Sequence, residues 1–160
     1  MIKDDTRQTL KFIAWVAGTI IFLYFLAVAV FYFAGDQYRN DIHQTEQLAL
    51  AKSPIIKVEK RYHLDRGVNS YAVKGRDKAG ESYYFIYLPT SKKAYLCDAS
   101  DGVSAGSVAF TYSQFYPHRK IEKINLGWDH GQAVWEITAQ DKDGNYYYTL
   151  YKFKNGNKLS

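Results

Sequence analysis

The chain has 160 residues, of which 47% are hydrophobic and 17% aromatic, and its formal net charge is +5. Its basic residues are scattered and form no dense basic arm, so the composition argues against a nucleic-acid partner. The single cysteine, Cys97, excludes an intrachain disulfide. We expect it to be a small packed residue rather than a nucleophile.

The first element along the chain is the apolar run Phe12–Ala34, which holds twenty-three residues and no charge. A membrane-spanning helix needs about 20 such residues, so the run predicts a transmembrane helix after a short tail, residues 1–11. The alternative is a cleaved signal peptide, whose apolar region is normally about 7–15 residues long. The small residues Ala27-Val28-Ala29 would suit cleavage but lie inside the run, which favours a retained anchor.

The charges that flank this run predict its orientation. Lys3, Arg7 and Lys11 precede it, whereas only Arg39 occurs in the fifteen residues that follow. Such a basic excess favours a cytoplasmic N-terminus, in the cell membrane, with residues from about Asp36 onward outside the cell. That external part carries eighteen Lys and Arg against fourteen Asp and Glu, which is compatible with weak attraction to anionic envelope polymers.

The external part contains an internal repeat. Residues 65–88 and 129–152 align without gaps and are identical at eight of twenty-four positions, among them those of "DKAGESYY" and "DKDGNYYY". Each copy consists of two β-rich runs joined by a polar turn that contains glycine. We interpret the two copies as a duplicated structural unit.

A further strand and a helix are predicted ahead of each hairpin. The strand candidates are residues 55–63 and 119–126, and the helices are residues 37–52 and a segment from a Ser104 cap to about Phe115, before Pro117. The predicted fold class is therefore α+β: an N-terminal transmembrane helix, then two tandem units, 35–98 and 99–160, each with one helix and a three-stranded antiparallel sheet. One such unit is marginal alone, so we expect the two to pack together.

The last strand of each hairpin is rich in tyrosine. If the side with Ile86 and Leu150 faces the helices, the alternation of a strand places four tyrosines on the opposite surface. They form our candidate partner-binding surface: Tyr83, Tyr87, Tyr147 and Tyr151. The alternative is that these rings stabilise the sheets through cross-strand pairs.

The sequence carries no recognisable catalytic or metal-binding motif. The four histidines are widely separated, and no Cys/His spacing typical of zinc sites occurs. Asp141–Asn145 resembles the start of a calcium loop, but its glycine comes too early, so a hairpin turn explains it better. We expect no catalytic residues, no metal and no cofactor, and hence a protein that is not an enzyme.

Three groups of residues carry a resemblance to a known family. They are "YAVKG" with "DK" and Gly80, "LP" with "KKA" at 92–94, and "VWE" at 134–136 with Asp141-Lys142 and Gly144. With the apolar run, they resemble the cell-wall elongation regulator TseB-like (YpmB-like) family of Gram-positive bacteria.

The resemblance implies tandem PepSY-like, cystatin-related domains outside the membrane. It also implies a non-enzymatic role in peptidoglycan elongation, through binding a penicillin-binding protein or another cell-wall synthesis protein. Two alternatives stay open: a PepSY-type inhibitory module acting on an envelope peptidase, and a sensor of small ligands or glycans. The oligomeric state is open as well.

Overall fold

The computed structural model of the chain describes residues 2–34 and 36–159. The chain divides into two compact units, residues 1–40 and 41–160. The helices are α1 (Ile2–Ala34), α2 (Asp36–Lys52) and α3 (Ala105–Phe115), and a short 3-10 turn lies at Ala99–Asp101. The strands are β1 (Lys57–Asp65), β2 (Asn69–Arg76), β3 (Ser82–Leu88), β4 (Lys93–Asp98), β5 (Lys120–Asp129), β6 (Gln132–Gln140) and β7 (Tyr146–Lys152).

Helix α1 contains the predicted apolar run. Within the described residues, its segment Gln8–Tyr32 is the one helix long and apolar enough to cross a membrane, and 0% of it is buried inside the protein. The hydroxyl of Thr19 donates to the carbonyl oxygen of Trp15 at 2.9 Å, so this polar group is satisfied within the helix. The N-terminal helix fits the single membrane span that the sequence predicts.

The first sheet is antiparallel, with the strand order β1-β2-β3-β4. One of its faces is covered by α2, whose fully buried Ala49 packs in a cluster with Val73, Phe85 and Tyr87. Ile55, in the segment between α2 and β1, completes this cluster. The first sheet and α2 therefore enclose a small apolar core of their own.

The second sheet has the order β5-β6-β7 and is covered on one face by α3. The hydroxyl oxygen of Ser104 accepts a hydrogen bond from the backbone N–H of Ser107 at 3.1 Å, so the predicted cap is confirmed. The helix ends at Phe115, two residues before Pro117. Val108 and Tyr112 are its buried side chains.

The repeated turns adopt the same geometry in both copies. Asp77 Oδ1 accepts from the backbone N–H groups of Ala79 and Glu81 at 2.8 and 2.9 Å. Asp141 Oδ1 accepts from those of Asp143 and Asn145, both at 2.9 Å. The glycine that follows has φ +90° in the first copy and +88° in the second. The duplication in the sequence is thus a duplication of structure, and the Asp141 turn is a hairpin turn.

The two sheets share one large aromatic core. Trp135 is fully buried, and its ring meets those of Tyr62 and Tyr84 edge to face at centroid distances of 5.6 and 5.5 Å. Its indole N–H donates to the carbonyl oxygen of Val103 at 2.8 Å. Because Trp135 lies in the second copy while both tyrosines lie in the first, each copy supplies part of the other's core.

Close backbone packing joins the copies beside this core, where β1 and β2 pack against β5. The hydroxyl of Ser70 donates to the carbonyl oxygen of Leu64 at 3.1 Å and accepts from the N–H of Trp128 at 3.0 Å. A Cβ at Gly127 would lie 2.3 Å from Leu64 Cβ and 2.5 Å from Ser70 Oγ. Glycine is therefore required at position 127 for this approach.

The predicted α+β class with tandem units is confirmed, and the first sheet has one strand more than predicted. That strand, β4, pairs with β3 so that Tyr87 lies opposite Ala94. In the second copy the corresponding tyrosine, Tyr151, forms an isolated antiparallel bridge with Lys158. The tail 157–159 thus covers part of β7 as a short equivalent of β4. The proposed domain boundaries at 34/35 and 98/99 stay proposals.

Candidate interaction surface

The four predicted tyrosines lie on the helix-covered side of their strands. Tyr87 is 5% exposed and packs in the cluster that contains Ala49 of α2. Tyr151 is 2% exposed and belongs to the shared core. Tyr83 and Tyr147 are half-buried. The expectation of an open surface is wrong for Tyr87 and Tyr151, and a partner contact through Tyr83 and Tyr147 stays a prediction.

The two faces of the last hairpin strand are exchanged relative to the prediction. Ile86 lies in the core shared with the second sheet, and Leu150 packs with Leu64 and Val134. In the first sheet α2 covers one face and the second copy covers the other, so both faces of β3 are apolar. Alternation distinguishes the faces of a strand only when one of them is polar.

Three turns surround a groove of about 610 Å³. Its walls come from residues 66–69 between β1 and β2, 88–93 between β3 and β4, and 129–131 between β5 and β6. The first and third of these turns are the repeated Asp-x-Gly segments, in which Gly67 and Gly131 have φ values of 75° and 80°. Left-handed backbone at these glycines turns each hairpin sharply and brings the loops together. We call this feature the three-turn groove.

An aromatic pair lines one side of the three-turn groove. The rings of Tyr95 in β4 and Trp128 in β5 are stacked, with a centroid distance of 3.7 Å and an angle of 11°. Both side chains are half-buried, so part of each ring faces the groove. The pair offers a rigid apolar surface to a binding partner and ties the edge of the first sheet to the second.

The rim of the groove carries charges of both signs. The carboxylate of Asp129, a residue only 7% exposed, lies 2.9 Å from Nδ1 of His130. This hydrogen bond and the carboxylate charge raise the pKa of His130. Arg66 forms an ion pair with Glu136, which is buried in β6. A rim of mixed sign suits recognition of a polar protein segment rather than of a strongly charged small ligand.

The groove holds residue types that occur in nucleophilic catalysis, but they are not assembled. The side chain of His130 is 89% exposed, and within the described ranges no hydrogen bond connects it to Thr90 or Ser91. A nucleophile needs a base within hydrogen-bond reach and a third group to orient that base. Burial raises the pKa of Cys97, which disfavours its reactive thiolate. Within the described residues, the side chains of the groove therefore do not form the nucleophile–base pair of a covalent catalyst.

The part of the chain that the structure describes contains no group of three or more His, Cys, Asp or Glu residues that could hold a metal ion. The Asp141 carboxylate is engaged in its own turn, and hydrogen bonds from Asn145 and Tyr147 help to lower its pKa to about 2. Its oxygens are thereby occupied by protein donors.

Sequence reasoning identified the repeated turns but not the groove. The sequence signal for the groove was the pair of Asp-x-Gly turns, Asp65-Arg66-Gly67 and Asp129-His130-Gly131, which occur at matching positions of the two copies. That these two turns lie side by side follows from the packing of β1 on β5. The contact between Tyr95 and Trp128 joins segments that carry no matching pattern in the sequence.

The fold defines a class of protein: an N-terminal apolar helix that fits a single membrane span, followed by a tandem α+β domain that carries the three-turn groove. No protein-family model matches the chain. The chain is similar to the probable cell wall elongation regulator TseB of Bacillus subtilis (strain 168), with 31% identity over 91 residues. The match covers 56% of this chain and 56% of that relative, so it spans just over half of each.

A solved structure has the same fold. The YpmB protein from Bacillus subtilis superimposes with a TM-score of 0.63 at 23% sequence identity, over 74% of this chain and 93% of the solved one. This likeness shows the fold, and the similarity to TseB adds a relationship in sequence. The chain is thus similar in sequence to TseB over just over half of each protein and has the fold of YpmB, in agreement with the resemblance noted in its sequence.

Proposed function

We propose that the chain is a single-pass membrane protein that regulates cell-wall elongation by binding a penicillin-binding protein outside the cell. Its N-terminus is cytoplasmic, and α1 is its anchor in the cell membrane. The observation that carries the proposal is the 31% identity to a probable cell wall elongation regulator. The apolar span of α1 and the three-turn groove support it.

Anchoring has a physical role in this proposal. A tether that holds both proteins at one membrane surface raises the effective concentration of each for the other to roughly millimolar values. A contact that is weak in solution is then sufficient for regulation. Lys3, Arg7 and Lys11 before the span support the orientation that places the tandem domain on the same side as the synthase domain.

In-cell crosslinking followed by purification of the full chain tests the proposal. The matched control carries residues 1–40 fused to an unrelated external domain, so that it shares the anchor but not the binding surface. We expect a penicillin-binding protein to be recovered with the full chain and not with the control. Equal recovery with both would show that the membrane alone accounts for the association and would contradict the proposal.

The partner class is tested in the same experiment. Recovery of an envelope peptidase in place of any synthase, together with inhibition of that peptidase by the purified chain, would replace the proposed function with an inhibitory one. A deletion strain adds a readout in the cell, because loss of an elongation regulator alters cell length or width. Unchanged dimensions through every growth phase would count against a role in elongation.

A further inference from the structure

The second sheet has one face that neither α3 nor the first copy covers along its whole length. The strand register places Lys123 opposite Thr138 and Thr138 opposite Tyr148, on the side away from Trp135. A second row runs from Lys120 through Gln140 to Tyr146. Tyr146 and Tyr148 are 56% and 55% exposed. We call the surface formed by these two rows the open face.

Comparison of the two copies shows that the corresponding face of the first sheet is covered, whereas the open face of the second sheet is not. Tyr84 of the first copy corresponds to Tyr148 of the second. Tyr84 is 4% exposed, and its ring meets Trp135 and Phe153 edge to face, both at 5.5 Å. The second copy thus buries the first copy's version of this face, whereas its own version remains at the surface.

The Tyr148 ring of the open face lies beside a positively charged side chain that helps to hold it in place. The guanidinium carbon of Arg66 lies 4.9 Å from the centroid of the Tyr148 ring. Arg66 is fixed in turn by its ion pair with Glu136. A preordered tyrosine loses little conformational freedom on binding, which makes it an effective anchor at an interface.

Two carboxylates beside the open face are paired with basic side chains. Glu136 is buried beneath Arg66, and Glu122 lies 2.9 Å from the Nζ atom of Lys120. Lys123 is exposed in the same row as Tyr148. Lys123 therefore presents a positive charge to a partner, with the Tyr148 ring in the same row. Such a surface complements an acidic segment that carries an apolar or aromatic side chain.

We propose that the open face is where the chain docks its partner, and that the occupant is an acidic, apolar-bearing segment of the external domain of a cell-wall synthesis protein. This inference rests on the proposed function and assigns its interface. Tyr146 and Tyr148 supply the apolar contact, and Lys123 selects the acidic segment. These two tyrosines are the sequence neighbours of Tyr147, one of the tyrosines chosen from the sequence, and lie on the opposite face of β7.

A photo-crosslinking amino acid placed in the full chain in cells tests the assignment. Position 148 is the test site, and position 110 in α3 is the control, because Phe110 is also an exposed aromatic residue, at 68%. We expect a crosslinked cell-wall synthesis protein, identified by mass spectrometry, from position 148 and not from position 110. Both side chains are at the surface, so neither substitution disturbs the core.

Charge reversal supplies the second arm. We expect Lys123→Glu to lower the crosslink yield at position 148 by at least about threefold, because a like charge would face the acidic segment. Lys154→Glu, which alters an exposed residue beyond β7, should leave the yield unchanged. A synthase captured from position 110 but not from 148 would overturn the docking face and leave the proposed function standing. If no synthase is captured from either position and none is recovered in the general crosslinking described above, both the docking face and the proposed function are overturned.

Discussion

Replacing Gly127 with alanine tests the packing that joins the two copies. The new Cβ would lie 2.3 Å from Leu64 Cβ and 2.5 Å from Ser70 Oγ, whereas ordinary contacts begin at 3.4 Å. The copies must therefore separate locally by about 1 Å, at a cost of about 1–3 kcal/mol for overpacking. The shift also strains the hydrogen bond from the Trp128 N–H to Ser70, and leaving a buried donor unpaired costs about 1–3 kcal/mol. We expect the free energy of unfolding to fall by about 3 kcal/mol.

Gly106→Ala is the matched control, because it makes the same chemical change in open space. The nearest atom to the new Cβ is Ser104 Oγ at 3.8 Å, and alanine in a helix is favoured over glycine by about 1 kcal/mol. Urea unfolding of the full chain in detergent micelles, followed by tryptophan fluorescence, measures both variants. If Gly127→Ala unfolds at the wild-type midpoint while Gly106→Ala is stabilised, the reasoning about the junction is refuted.

Three further predictions follow from contacts described above. Ser104→Ala should lower the free energy of unfolding by about 1 kcal/mol, whereas Ser104→Asp should keep the wild-type value, because only alanine removes the acceptor for the N–H of Ser107. Urea unfolding midpoints measure both variants, and equal losses would contradict the cap. Trp135→Phe should cost at least about 1–3 kcal/mol through the lost hydrogen bond to Val103 and still give one unfolding transition; two separated transitions would show that the sheets unfold independently. The pKa of Asp141 is lowered to about 2. Its contribution to stability is therefore present above its unfolded pKa of about 3.9 and is lost as the pH falls through about 2. Asp141→Asn should flatten the dependence of melting temperature on pH in that window, and an unchanged slope would contradict the assignment.

The elements that the sequence predicts well are those set by local chemistry. The Ser104 cap, the Asp77 and Asp141 turns and the apolar helix each depend on a few neighbouring residues, whose preferences agree with the final structure. The duplication added a second source of information, because a pattern present in both copies is more reliable than one seen once. For this reason the fold class could be predicted before the arrangement of the sheets was known.

The parts that the sequence did not predict depend on contacts between the copies. The strand that carries Tyr83 to Leu88 is apolar on both faces, and no local pattern reveals that one face meets α2 while the other meets Trp135. Strand β4 was missed because its exposed Lys93 and Ala94 give little apolar signal. The three-turn groove requires Tyr95 and Trp128 to meet, which is a long-range contact. Candidate sites on a repeat protein therefore need the packing of the repeats as well as their sequence.

The segment 157–159 along β7 affects whether another strand can pair with this edge of the sheet. The backbone N–H of Lys152 donates to the carbonyl oxygen of Asn157, and the N–H of Leu159 donates to that of Leu150, both at 2.8 Å. An uncovered strand edge is a template on which another chain can add a strand and begin to polymerise. Because residues 150–152 already have this partner, an incoming strand would first have to displace the tail. The C-terminal part of β7 is thereby protected against the addition of a strand from another copy.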